Sequence, residues 1–331
     1  MSPLFHKRSP EEKAADEATA RERAEATERS EQRAAQSLER IEQGHVPLAA
    51  DERMSAYAKA AREGQPHLFS SDLEVSEWSA LARLGIRPVT QVMGSSIYKV
   101  GWQPTYYNVP TEVRVLSDAY NECRRRALNR LLEEAGLCGA DAVVAVRIQE
   151  GAHDWAPGAV EFIAVGTAVR LPEQMREPAN GTVLTDLSGQ EYVQLCQAGL
   201  RPVGIAAHTS VHYVPASGQT MMAQGAGGGM LGMGMGTSWT NQELVDFSQG
   251  VYEAREKAMG FVTAQAHQLG GSGMIGVQVR EHGRTHEVKR GMYDSRDLEI
   301  TFHVIGTVIR EDPSLASQPP QPAPLQTLFL D

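Results

Sequence analysis

Cysteine is scarce in this 331-residue chain: only Cys123, Cys138 and Cys196 occur. The number is odd and no Cys-x-x-Cys pair is present, which argues against a disulfide framework or a cysteine zinc site and for reduced thiols in a cytoplasm. Long apolar runs are also missing. No window approaches the roughly 18 consecutive apolar residues of a spanning helix, and the opening MSPLFHKRSPEEKAADE has no apolar core of signal-peptide length. The chain is therefore expected to be cytoplasmic, with no transmembrane segment. Positive charge is in deficit, with 31 Lys and Arg against 41 Asp and Glu. That balance speaks against nucleic acid as a partner and against a polybasic grip on anionic lipid, since both need clustered cations. No Gly-x-Ser-x-Gly, phosphate-cradling loop or His-Glu-x-x-His occurs, so no enzyme is expected.

What is present is a repetition. Asp72, Gly85, Arg87, Pro88, Val89, Ser96 and Val100 recur 114 residues later as Asp186, Gly199, Arg201, Pro202, Val203, Ser210 and Val214. Residues 120–148 align with 251–279 at an offset of 131. Phe162, Gly166, Thr167 and Arg170 return at an offset of 140 as Phe302, Gly306, Thr307 and Arg310. Three blocks in one order, separated only by insertions, indicate duplication.

Each block has a physical reading. Ser188 with Glu191 three residues on is a capping box for a short helix, and Gly199 can end that helix in a left-handed conformation. RPVTQVMGSSIYKV and RPVGIAAHTSVHYV, β-branched and partly alternating, read as strands. A long helix follows in each copy. In the first, Pro110 suits the opening turn; in the second, Thr240 with Glu243 forms a capping box, and Leu244, Phe247, Val251, Ala254, Ala258 and Phe261 make one stripe. GADAVVAVRI and GGSGMIGVQV read as buried strands, each followed by a loop and a last strand. Each unit is thus helix, strand, long helix, strand, strand: an α+β fold with a small, mostly antiparallel sheet covered by one helix.

The strand, long helix, Gly-Ala-Asp-Ala-Val-Val at 139–144, and closing strand ending in Gly-Thr-Ala-Val resemble the YbjQ-like family, once over 70–173 and again over 184–312. The second copy departs from the pattern at Ser272 and Gly273. The resemblance implies two-layer units similar to dodecin subunits that close into rings, typically of five, and it brings the family's heavy-metal-binding label.

Around the repeats, residues 1–46 form a charged segment, helical or partly disordered; 10–43 are almost all Glu, Arg, Ala and Gln, which leaves a coiled coil open but without the large a and d residues that would hold it. Residues 47–69 hold a short amphipathic helix and a linker. The Met/Gly-rich insertion 217–238 carries Met221, Met222, Met230, Met233 and Met235, which suit adaptable apolar contacts or a Cu(I)-type site. Residues 313–331 are a Pro-rich tail.

Four histidines are the candidate ligands for a transition metal ion. His208 and His212 share one face of a predicted strand, and His282 and His286 lie in a predicted hairpin loop. Asp141 and Glu150 are the candidate acid–base pair, although Asp141 follows a turn where Asp commonly bonds backbone. Arg124–Arg126, beside acidic residues, reads as a solvated face. Three functions stay open: a non-catalytic, ring-like homo-oligomeric scaffold with protein partners at the N-terminal helix, the Met/Gly loop or the tail; a metal-binding protein; or a small-molecule binder at subunit interfaces. The first is the expectation adopted.

Overall fold

A computed structural model describes residues 10–65, 68–104, 106–152, 158–176, 181–224, 241–290 and 293–315. The elements run α1 (Pro10–Glu42), α2 (Leu48–Arg62), α3 (Val75–Arg83), β1 (Arg87–Lys99), β2 (Thr111–Glu112), α4 (Arg114–Leu137), β3 (Ala142–Ala152), β4 (Ala159–Arg170), β5 (Val183–Leu184), α5 (Gly189–Gln197), β6 (Leu200–Val214), α6 (Gly218–Ala223), α7 (Val245–Gln268), β7 (Gly273–Arg290) and β8 (Tyr293–Glu311). The fold is mixed α+β, with two four-stranded sheets ordered β1-β4-β3-β5 and β2-β6-β8-β7.

The two sheets share a register. Arg87 pairs with Arg170 and a bulge follows at Pro88; Arg201 pairs with Arg310 and a bulge follows at Pro202. β3 breaks register between Val144 and Arg147, and β7 between Ile275 and Gln278. At these matched bulges Ala145 (φ 54°) and Gly276 (φ 62°) take left-handed backbone. For alanine that conformation is unfavourable.

Each long helix lies on one sheet face. Cys123, Ala127, Leu131 and Ala135 of α4 bury against Val92, Val143 and Phe162. Ala254, Ala258, Val262 and Ala266 of α7 bury against Ala206, Ile300 and Val304. Small residues on the helices let them approach closely. A Cβ on Gly94 would stand 2.0 Å from the Ala127 carbonyl oxygen; on α7 a Cβ on Gly250 would stand 2.3 Å from Val214 Cγ2 of the second sheet.

Two short strands cross over. β2, which precedes α4, pairs with β6 of the second sheet, and β5, which precedes α5, pairs parallel with β3 of the first. The backbone of 183–187 continues the exchange, with Val146 N–H donating to Thr185 O (3.0 Å) and Ala145 N–H to Leu187 O (2.8 Å). Helices α3 and α5 pack side by side over the opposite face of the first sheet, where Leu81, Tyr192, Val193 and Cys196 share a core with Val144 and Val169.

Several expected boundaries move. The capping box at Ser188 and Glu191 is formed, and Glu74 with Glu77 makes a second one that was not anticipated. α4 starts at Arg114 rather than at Pro110, because Thr111–Glu112 is spent on the crossover strand. α7 starts at Val245, with Leu244 at its cap position, so Glu243 lies outside the helix; Thr240 is outside the described residues. Phe261, expected on the buried stripe, is 45% exposed, and Val262 is buried instead. His282 and His286 lie in no loop: β7 and β8 extend as a long regular hairpin through both. Its far end is held by Arg290, whose Nη1 lies 2.7 Å from buried Asp297, which also accepts from Tyr213 (2.6 Å).

α1 is a largely exposed helix whose C-terminal part meets α2 through Arg33–Glu52 (2.6 Å) and Arg40–Asp51 (2.8 Å), and no coiled coil is evident among the described residues. Arg130 fastens α1 and its exit to the sheet by donating to Ile41 O (2.9 Å), His45 O (3.1 Å) and Ser95 O (2.5 Å). Met221 and Met222 lie on α6; Met230, Met233 and Met235, and the tail beyond Leu315, are outside the described residues.

Candidate functional site

The chemistry-bearing side chains gather at the seam between the two sheets. Arg124, expected to be solvated, is buried there, while Arg125 and Arg126 stay at the surface paired with Glu122 at 2.7 and 2.8 Å. α4 carries Arg124 across to β6, where it donates to Thr209 Oγ1 (2.7 Å) and Ala207 O (3.0 Å), and to Asn121 Oδ1 on its own helix. Asn121 in turn donates to Thr209 O (2.8 Å) and accepts from Thr209 N–H (2.9 Å). The guanidinium lies 5.8 Å from the Phe162 ring. Burial lowers its pKa to about 10, against the raising pull of Glu150, so it remains charged at neutral pH.

Thr209 passes the network on to His303, whose Nδ1 is 2.9 Å from Thr209 Oγ1 and whose Nε2 is 3.3 Å from Glu150. Burial, helped by Arg124, Arg280 and His282, lowers His303 to about 4, so the ring is neutral at neutral pH. Glu150 is shifted upward by burial. Tyr120 stands edge-on to His303 at 5.5 Å, and burial raises its phenol to about 12. Cavities flank this cluster. A groove of about 700 Å³ between β3 and the β7–β8 pair is lined by Arg124, Arg147, Glu150, Arg280 and His303. A second, of about 660 Å³, runs between α4 and β6 beside His208.

The four candidate histidines do not converge. His208 and His212 point to one sheet face, as expected. At about 3.3 Å per residue, however, four positions along a strand separate them by about 13 Å, too far to share an ion whose bonds to nitrogen are about 2 Å. The same spacing separates His282 and His286. The two pairs also lie on opposite faces: His212 is level with Ile300, which faces α7, and His282 is level with Thr301. His208 stacks on Phe261 at 4.2 Å, and its pKa is lowered to about 4 by burial. His286 lies 3.3 Å from Glu299 and 5.8 Å from the Tyr213 ring. Among the described residues, no three His, Cys, Asp or Glu side chains form a group that could hold a metal ion.

The candidate acid–base pair separates as well. Asp141 accepts from Leu171 N–H (2.8 Å) and Arg176 Nε (3.1 Å), holding the exit of β4, whereas Glu150 belongs to the seam. All three cysteines are buried, and burial pushes Cys138 to about 11 and Cys196 to about 12, far from reactive thiolates. Among the described residues, no helix is long and apolar enough to cross a membrane.

Comparison with known proteins places these features in context. Residues 82–172 match the YbjQ family, described as "Putative heavy-metal-binding". A Mycobacterium tuberculosis protein named "Encapsulin nanocompartment protein Rv1762c" is 32% identical over 247 residues, which is 73% of this chain and 86% of that protein. Proteins named UPF0145 from Methanococcus vannielii and Archaeoglobus fulgidus are 42% and 43% identical over 60 residues, 18% of this chain and 55% and 54% of theirs.

Proposed function

The chain belongs to the YbjQ-like family, and from that membership we propose that it is a non-catalytic scaffold: two dodecin-like units, copies of one ancestor, assembled through further copies into a ring. The observation that carries this reading is the crossover at the seam. Backbone strands exchanged between the sheets, and a buried Arg124 that reaches across to Thr209 and Ala207 of the opposite sheet, support unit-to-unit association as the role of the most specific polar residues at the seam. The relative named as an encapsulin nanocompartment protein supports a role in assembly. The helix α1, the Met/Gly segment and the tail are then attachment points for other proteins, in a cytoplasmic setting. The mass of the purified full chain at micromolar concentration, by sedimentation or native mass spectrometry, tests it; a single-chain mass overturns it.

A second reading is favoured by one feature. The 700 Å³ groove is lined by Arg124, Arg147 and Arg280 beside a neutral histidine and the carboxylates of Glu150 and Asp186, a net cationic lining suited to a small anionic molecule held between units. A co-purified ligand in the same native mass spectrum would establish it.

A further inference from the structure

We propose that the contact joining the two halves within the chain is repeated between chains: the segment 68–73 and helix α3 of one copy dock on β7 and α5 of the next. The proposal rests on the duplicated-unit reading above and specifies its interface.

The template is internal. Segment 183–187 lies along the outer edge of β3, and α5 lies on α3. Subtracting 114 from each residue of 183–187 gives 69–73, where Asp72 and Leu73 stand for Asp186 and Leu187. The counterparts hold themselves alike. Thr167 donates to Asp72 Oδ1 at 2.7 Å, and Thr307 donates to Asp186 Oδ1; Ser71 lies 3.2 Å from Thr167, and Thr185 lies 2.9 Å from Thr307. Segment 68–73 is therefore fixed on its own unit in the posture of a strand-adding segment, but among the described residues no strand edge pairs with it. The matching edge is the outer side of β7, the terminal strand of its sheet, with the same bulge and the same left-handed residue as β3. Gly276 and Val277 are the counterparts of Ala145 and Val146, whose N–H groups pair with Leu187 and Thr185. They face no strand on that side among the described residues.

Side-chain exposure follows the same map. Trp78 is 45% exposed, whereas its counterpart Tyr192 is 3% exposed. Ile97 on β1 is 52% exposed, whereas Val211 is fully buried under α4 of the first half. Tyr252 on α7 is 63% exposed at the position of Asn121, which grips β6. Phe69, half exposed, stands for Val183 in the crossover strand. The apolar side chains left open on the second half's outgoing side and the first half's incoming side are thus those whose counterparts the internal seam covers. Sheet edges and apolar patches of this kind mark association surfaces. Because the two patches differ, the contact is head-to-tail, the kind that builds rings. One departure adjusts the fit. Val75 replaces Gly189, whose Cβ would stand 3.0 Å from Glu77 Cβ, so the helix pair between chains is set wider than the one within.

The test uses the full chain. The double variant Phe69→Glu/Trp78→Glu changes only exposed side chains and is expected to keep the wild-type circular dichroism and melting of the single chain. Losing two central anchors weakens association by at least about a hundredfold, so the multimer is expected to run as single chains at micromolar concentration. Independently, Val75→Cys and Glu191→Cys chains are co-expressed and mildly oxidised. Disulfides join Cβ atoms about 3.5–4.5 Å apart, so a two-chain disulfide between the unlike variants is expected. A wild type that is itself a single chain overturns both this interface and the scaffold reading. A wild-type multimer untouched by the double glutamate, with no disulfide between the unlike chains, overturns this interface alone.

Discussion

Replacing Gly94 by alanine tests how the first unit is packed. Gly94 lies on β1 directly beneath α4, and an added Cβ would stand 2.0 Å from Ala127 O, 2.5 Å from Leu131 N and 3.1 Å from Ala127 C. Ordinary non-bonded contact begins near 3.5 Å, so α4 must retreat by about 1.5 Å over that turn. The obstructing atoms are backbone and cannot swing aside as a side chain tip would. Lifting α4 loosens Ala127 and Leu131, both fully buried, from the strands below. Overpacking typically costs 1–3 kcal/mol, and the rigid obstruction places Gly94→Ala at the upper end, about 3 kcal/mol. For a cooperative unit of 150–250 residues that lowers the melting temperature by about 6–12 °C. Gly260→Ala is the internal control. Gly260 is in the interior of α7 with nothing within 4 Å of an added Cβ, so the change removes only glycine's helix penalty and stabilises by up to about 1 kcal/mol. Thermal and urea melts followed by circular dichroism read both. A Gly94→Ala protein melting within a degree of wild type would show that the helix does not rest on the strand at Gly94.

Two further outcomes follow from the seam and from β6. Arg124→Met removes the donors that satisfy Thr209 Oγ1 and Ala207 O, leaving a buried carbonyl unpaired beside Glu150; the expected loss in urea unfolding is about 3 kcal/mol, against almost none for Arg125→Met at the surface. His208 is buried among the Phe261 ring, the cations of Arg124 and Lys257 and the carboxylate of Glu112, and its pKa falls from 6.5 to about 4. The unfolded chain therefore binds a proton between these values that the folded chain refuses. Stability from this group is complete above pH 6.5 and is lost as pH falls toward 4, by up to about 3 kcal/mol. His208→Gln is expected to flatten the wild-type slope over that window, and an unchanged slope in melts from pH 7 to 4 contradicts the assignment.

Local chemistry was legible in the sequence, and distant pairing was not. The Ser188–Glu191 box and the left-handed glycine at 199 depend on neighbours a few residues away, and both are where the sequence puts them. The equal registers of the two sheets follow from the offsets of 114 and 140, because identical strands find identical partners. β2 and β5 are two residues each; they are strands only because residues 212–213 and 142–143, far along the chain, are opposite them. Pro110 looked like a helix start because nothing local says that Thr111 and Glu112 are needed in the crossover strand. For His208 and His212 the shared face was legible, but strand rise separates same-face positions as surely as it aligns them; His282 and His286, expected in a loop, are on β7 because the hairpin extends through them. Arg124 was hidden for another reason. Its neighbours in sequence, Glu122, Arg125 and Arg126, are solvated, and two of its acceptors, Thr209 and Ala207, lie in the other half.

The two halves differ most where they would meet something, and the pattern has a physical basis. Within the chain the seam joins an apolar contact, in which Val211 and Tyr192 are buried, to a closed, buried hydrogen-bonded set of Arg124, Asn121 and Thr209. The corresponding outward positions carry Arg255, Tyr252 and Ser95, and Trp78 and Phe69 stand nearby in the role of anchors. Two halves on one chain face each other at an effective concentration of the order of millimolar, so their contact needs little net affinity. Beside its apolar part it can include buried polar groups that fix register at small gain in stability. Separate chains meet at far lower concentration and need desolvated aromatic anchors to hold. On the proposed reading, duplication would let the two contacts diverge, because each would have its own residues. An exchange of character tests this: Tyr252→Asn, which installs the polar residue of the inner seam on the outer surface, is expected to weaken assembly while leaving the melting of the single chain unchanged, and an assembly that survives it intact would remove the distinction between the two contacts.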